Sequence, residues 1–204
     1  MLPLEKIMGI FAALMSFVSL FGNLSVAGND KSVEVVVDSV RLEQVKKDSR
    51  ETVHEEMVEM LEGYIESHHE KKVNRAKLLK YVKWVEQYTK ESDVDSLWIL
   101  AMMWQESRML EKSVSSHGAI GLLQILPSTA QSFGVSENAL YEAKTNIKTS
   151  IIYMNYLMDK YEGNLRTATI AYNQGEGNVA KGKARSWYYN QVKEHYNKML
   201  KMLK

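Results

Sequence analysis

Three short segments of this 204-residue chain, in a fixed order between residues 105 and 175, hold side chains with usable chemistry. The first, Gln105-Glu106-Ser107, sets one carboxyl group at the end of the apolar run 97–104. Burial penalises the charged form of a carboxyl, so an acid in such a place keeps its proton near neutral pH and can donate it. The second, Gly118-Ala119-Ile120-Gly121-Leu122-Leu123-Gln124, is a polar turn punctuated by glycines. Gly118 and Gly121 allow backbone shapes that other residues resist, and Gln124 donates and accepts hydrogen bonds at once. The third, Ala171-Tyr172-Asn173-Gln174-Gly175, brings an aromatic hydroxyl and amides to another helix end. Together they read as an acid catalyst and the walls of its cleft. Cleavage of a glycosidic bond needs such a proton on the leaving oxygen, and an amide-lined turn suits amide-bearing sugars. Taken singly, each segment has an ordinary counterpart: a solvated glutamate, a loop between helices, a packed tyrosine with a capping amide.

The elements that must position these residues are helical. Residues 97–104 are apolar on every side, which predicts a helix buried all round, capped by Ser92 or Asp93. Pro127 opens a short helix to about residue 133, and 134–144 reads as loop. Thr145 caps a helix through 161, with Ile147, Ile151, Met154, Leu157 and Met158 on one face and Gly163 at its end. Another helix covers 165–172, closed by Gly175 and Gly177, and an amphipathic one covers 185–203. The fold class is all-α. Upstream, 28–91 is rich in Glu, Lys and Val. Apolar stripes (Val53, Met57, Met60, Leu61, Tyr64; then Leu78, Val82, Val85, Tyr88) predict two amphipathic helices, packed on each other or on the following domain, or a charged helical arm. Residues 33–37 fit a short strand or a helix start.

Composition narrows the function. The net charge of +1 speaks against a nucleic-acid partner, and 45% hydrophobic residues suffice for a core. There are no cysteines, so disulfides and thiolate metal sites are excluded. His68-His69-Glu70 lacks metal-ligand spacing and reads as a solvated helix face, His117 reads as surface rather than catalytic, His54 and His195 are isolated, and no phosphate-binding glycine loop is present. Trp84, Trp98 and Trp104 read as core; Trp187, in a polar stretch, is open between core and sugar platform. At the start, Lys6 precedes an apolar run, and Ser25-Val26-Ala27 supplies small residues before Gly28. This predicts a cleaved export signal over 1–27 or an uncleaved inner-membrane anchor, since 7–24 is nearly long enough to span a bilayer. The chain thus divides into 1–27, a charged helical extension at 28–91, and a catalytic domain at 92–204.

The motifs, in order and spacing, resemble the lytic transglycosylase domain of the soluble lytic transglycosylase and goose-type lysozyme superfamily. The residues that carry the resemblance are Glu106-Ser107, Ser115, the run from Gly118-Ala119-Ile120-Gly121 through Gln124-Ile125-Leu126-Pro127-Ser128-Thr129-Ala130, Asn146-Ile147, Ala171-Tyr172-Asn173-Gln174-Gly175 and Tyr188. The match covers residues 92–196. Leu123 stands where methionine is commonest, and Glu176 where many members have proline, which raises the question of a second acid.

The resemblance implies a lysozyme-like helical domain acting on peptidoglycan glycan strands without metal or organic cofactor. Glu106 would be the acid and then the base. Ser115 and Gln124 would contact the N-acetyl sugars, and Tyr172 would hydrogen-bond Glu106. Asn173 and Tyr188 would line the cleft. Ser107, Gly118, Gly121 and Asn146 would give structural support, Asn146 by bracing the loop before the long helix. The expected product is a 1,6-anhydro end. A true hydrolase on the same fold, or a non-enzymatic envelope assembly protein that keeps the sugar cleft, are the alternatives. Residues 28–91 are a candidate contact for envelope machinery.

Overall fold

The helix expected to be buried all round lies at the centre of the architecture. The structure, a computed structural model, describes residues 31–68 and 73–203, with side chains from residue 41 onward. Two compact units divide it, Met1–Val53 and His54–Lys204. The apolar run at 7–24 lies outside the described residues, as do His69 and Glu70. Among the described helices none is long and apolar enough to cross a membrane.

Helix α1, Lys31–His68, supplies the described part of the first unit and enters the second. Residues 33–37, open between strand and helix in sequence, are helical. In the first unit the side chains are largely exposed, and Gln44 and Thr52 both bond to Asp48. In the second unit the stripe Met57, Val58, Met60, Leu61, Tyr64 and Ile65 is buried. Helix α2, Arg75–Thr89, starts where the Asn74 side chain accepts from the Ala76 N–H. It buries Leu78, Tyr81, Val82 and Val85. Arg75 pairs with Glu55 and Glu62 of α1.

Helix α3, Ser96–Ser107, is capped by Asp95, whose carboxylate accepts from the Leu97 N–H at 2.9 Å. The cap is thus neither Ser92 nor Asp93. Ser92 instead caps the preceding turn, accepting from the Val94 N–H. Every residue from Leu97 to Trp104 is buried. Each large apolar side chain so buried contributes about 1.5–3 kcal/mol. Helix α4, Pro127–Ser132, follows the expected proline start. The segment read as loop holds a 3₁₀ turn, Glu137–Tyr141, which runs into α5, Ala143–Lys160. Helix α5 therefore begins before Thr145, and Asn146 takes its N–H bond to Glu142 O inside the first turn. Helix α6, Leu165–Gln174, ends at Gly175 with φ 80°. Gly177 lies inside a short α7, Glu176–Ala180, and α8 is Trp187–Met202.

Helix α3 packs on α8 and α2, α2 on α5, and α6 on α5, α7 and α8. Trp98 of α3 donates through Nε1 to Thr169 of α6, which satisfies the buried indole. Among the described residues there is no strand, only isolated bridges joining Val114, Ile120 and Ile125.

Candidate active site

Glu106 lies on the last turn of α3, one residue before the helix ends. The helix stops because Arg108 and Met109 are both left-handed, at φ 54° and 61°. Consecutive non-glycine residues in this region are costly, so the surroundings must hold them. Part of that hold is Arg108 itself. Its guanidinium donates to the Trp104 carbonyl at 2.5 Å and lies 5.2 Å over the Trp104 ring. The Trp104 carbonyl also takes the Arg108 backbone N–H, and the guanidinium reaches on to the Gln105 carbonyl at 3.2 Å, one of those that a helix end leaves short of partners.

Four influences act on the Glu106 proton. Burial is the largest and pushes its pKa up to about 7; the Tyr188 hydrogen bond and the Arg108 charge pull the other way. The negative end of the α3 dipole also disfavours an anion here. Tyr188, the second residue of α8 and buried, donates its hydroxyl to Glu106 Oε1 at 2.5 Å. Burial and the nearby carboxylate keep the Tyr188 hydroxyl protonated far above its usual range. The bond fixes one carboxyl oxygen and leaves the second to carry the proton.

The hydrogen bond from Tyr172 to Glu106 is not what the structure contains. Tyr172, buried on α6, donates to the Leu123 carbonyl at 2.8 Å. Tyr188 takes the role instead, because α8 packs directly on α3 whereas the Tyr172 hydroxyl is committed to the glycine turn. The Glu106 charge still reaches Tyr172, adding to burial in raising its pKa.

The turn itself is built around Asn146, fully buried in the first turn of α5. Its Oδ1 accepts from Leu123 N at 2.9 Å, and its Nδ2 donates to Ile120 O and Leu140 O at 2.8 and 3.1 Å. Gly121, at φ 82°, passes so close that an added Cβ would lie 2.3 Å from Asn146 Nδ2. Gly118, at φ 77°, turns the chain at the other end. Ser107 anchors the same turn to α3, its hydroxyl lying 2.7 Å from Leu122 O and 3.2 Å from Met103 O.

The two residues expected to meet amide sugars are left with complementary capacity. Ser115 Oγ accepts from His117 N and Ala119 N, which uses both lone pairs and leaves its hydrogen to give. Gln124 Nε2 donates to Ser113 O and Gly121 O, so its Oε1 remains an acceptor. A reversed amide would set oxygen against two carbonyls, which fixes the assignment. One donor and one acceptor are what a single acetamido group needs. Asn173 is exposed at the end of α6 and makes no side-chain hydrogen bond among the described residues. Glu176 does not approach as a second acid: it pairs with Lys160 and accepts from Tyr156.

Four contributors were given no role at the site in sequence. Arg108 is one. The others form a chain: Tyr64 on α1 hydrogen-bonds His195 Nδ1 at 2.8 Å, His195 Nε2 meets Gln105 Oε1 at 2.8 Å, and Gln105 is next to Glu106. Burial pushes the His195 pKa down to about 4, so the ring is neutral near pH 7. Nε2 then donates to the amide oxygen and Nδ1 accepts the Tyr64 proton. A signal existed: Tyr188, Val192, His195 and Met199 are spaced four, three and four, one face of α8.

The sequence pattern on which this geometry rests has relatives. The transglycosylase SLT domain matches residues 83–196, more than half of the chain. The chain belongs to this family. Among curated proteins, the SLT domain here is 33% identical over 112 residues to the soluble lytic murein transglycosylase of Salmonella typhimurium, covering 51% of this chain and 17% of that one. It is 30% identical over 116 residues to membrane-bound lytic murein transglycosylase C of Yersinia enterocolitica, covering 49% and 32%. The 70 kDa soluble lytic transglycosylase of Escherichia coli is similar at 25% identity and a TM-score of 0.46, over 59% of this chain and 21% of that one. The chain therefore spans under a fifth of the length of the soluble Salmonella relative.

Proposed function

We propose that the chain is a peptidoglycan lytic transglycosylase with Glu106 as its acid and base. The observation that carries this is a single carboxyl, pushed up to about 7 by burial and held at one oxygen by Tyr188. Membership of the SLT domain family, and relatives named lytic murein transglycosylases, support the substrate class.

Protonated Glu106 gives its proton to the oxygen between N-acetylmuramic acid and N-acetylglucosamine, and the glycosidic bond breaks. The substrate acetamido group stabilises the developing cation, a recognised exception to the two-carboxylate scheme. The structure offers no second free carboxylate from Glu176, which supports that route. Glu106, now anionic, takes the proton of the muramic 6-hydroxyl, which attacks the anomeric carbon. A 1,6-anhydro end forms, no water is consumed, and the acid is restored. Intramolecular attack benefits from a high effective concentration. Ser115 and Gln124 supply the donor and acceptor that hold the sugar amides, and Tyr172 and Asn173 border the site.

The apolar run at 7–24 and the name of the membrane-bound relative support an exported or membrane-anchored enzyme working in the cell envelope. Of residues 28–91, the exposed part before His54 would then meet the machinery or wall that it serves, since the stripes beyond it are buried in the second unit. Digestion of purified sacculi tests the chemistry, with mass spectrometry of the products. Anhydro ends are expected from the parent chain and none from Glu106→Gln. Reducing ends that have gained water would identify a hydrolase. Clearing of sacculi by Glu106→Gln at the parent rate would remove Glu106 from the mechanism.

A further inference from the structure

Of the four tryptophans, Trp98 and Trp104 are core and Trp84 is half-buried, but Trp187 is 51% exposed. An exposed indole gives up the burial that makes tryptophan favourable in a core. Trp187 is the first residue of α8, and its neighbour Tyr188 donates to Glu106. The two rings meet edge to face at 5.9 Å and 87°. The buried Tyr188 ring thus supports one edge of the indole, and the indole lies within about 11 Å of the carboxyl oxygen by ordinary bond lengths. A bound disaccharide can bridge that distance.

The backbone leading to Trp187 is pinned. Gln174 grips Arg185 with both ends of its amide: Oε1 accepts from the Arg185 N–H at 2.8 Å, and Nε2 donates to its carbonyl at 2.5 Å. This ties the loop before α8 to the end of α6, beside exposed Asn173. The exposed residues that neighbour Trp187 along the chain are polar: Lys183, Arg185, Asn190 and Gln191. A protein partner seeks a contiguous apolar patch. One flat aromatic face set among hydrogen-bonding side chains is instead the complement of a pyranose ring, with apolar C–H faces and hydroxyl edges.

We propose that Trp187 is a stacking platform for a sugar ring of the glycan strand, flanking the bond that Glu106 cleaves. This rests on the reading of the site as peptidoglycan-cleaving. Rigid presentation by Gln174 and Tyr188 lets the platform bind without an ordering cost.

The test is a titration of Glu106→Gln with peptide-free glycan strands released from sacculi, followed by indole fluorescence and by calorimetry. Binding should change the emission of Trp187, and the change should vanish in Glu106→Gln/Trp187→Phe. Trp187→Ala in the same background should weaken binding about five- to tenfold. In the otherwise parent chain it should raise KM without moving the pH profile. Unchanged affinity in the Ala variant, with its melting temperature intact, overturns the proposal while cleavage by the parent chain leaves the broader reading standing. If the parent chain does not cleave sacculi and Glu106→Gln binds no glycan, both fall.

Discussion

At Glu106 the same burial that raises the pKa also costs stability once the proton leaves. The group binds its proton more tightly in the folded chain, at about 7 against an ordinary 4.5. Its contribution is therefore full below pH 4.5 and is lost as pH rises through 7, on the order of 2–3 kcal/mol. Glu106→Gln should melt several degrees above the parent at pH 8 and with little difference at pH 4.5, by calorimetry. Activity should fall at least about a thousandfold, in line with loss of a general acid. A second variant probes the partner. Tyr188→Phe removes a bond that favours the anion, so the falling limb of the pH–rate profile should move upward from about 7. The rate at its maximum should drop about tenfold because the carboxyl loses its fixed oxygen. A limb that stays in place would show that Tyr188 does not set the proton affinity.

Elements position this acid through backbone contacts more than through side chains aimed at it. Asn146 alone joins α5 to Ile120, Leu123 and Leu140. Asn146→Ala would strand the Leu123 N–H and the Leu140 carbonyl, while Ile120 O keeps its bond from the Ile125 N–H, and should cost about 2–4 kcal/mol in a denaturant titration. Gly121→Ala should cost at least about 2 kcal/mol, from positive φ and from collision with the same amide. Because the two share a contact, the double variant should lose less than the sum. Much of this was legible in advance. Apolar periodicity marked the helices, the glycines marked the turn, and Glu106 stood out by its setting after an apolar run. What periodicity does not encode is which tyrosine reaches the acid. Tyr172 and Tyr188 look alike in sequence, and only the packing of α8 on α3 gives the bond to Tyr188. The cap lies at Asp95, whose carboxylate also accepts from Tyr196, while the Ser92 hydroxyl is committed to the Val94 N–H. His195 hid because its partners, Tyr64 and Gln105, are 131 and 90 residues away.

Across the second unit as a whole, two ionisable groups pull stability in opposite directions with pH. His195 is held near 4 against an ordinary 6.5, so its contribution is full above 6.5 and is lost as pH falls through 4. Glu106 gains over nearly the same range, and the parent chain should show a shallow pH dependence. Removing either group uncovers the other. His195→Gln keeps a donor and an acceptor for Gln105 and Tyr64, and should become relatively more stable toward pH 4 by about 1–2 kcal/mol. Glu106→Gln should lose stability more steeply than the parent over that interval. Parallel curves for all three chains would refute the assignment. The family match opens at residue 83, inside α2, while buried Leu78, Tyr81 and Val82 precede it and Tyr64 lies further back on α1. Anyone building chimeras from the recognisable stretch would sever a helix mid-span and discard the far end of the hydrogen-bonded chain to Gln105. The piece that can be transplanted is longer than the piece that can be recognised.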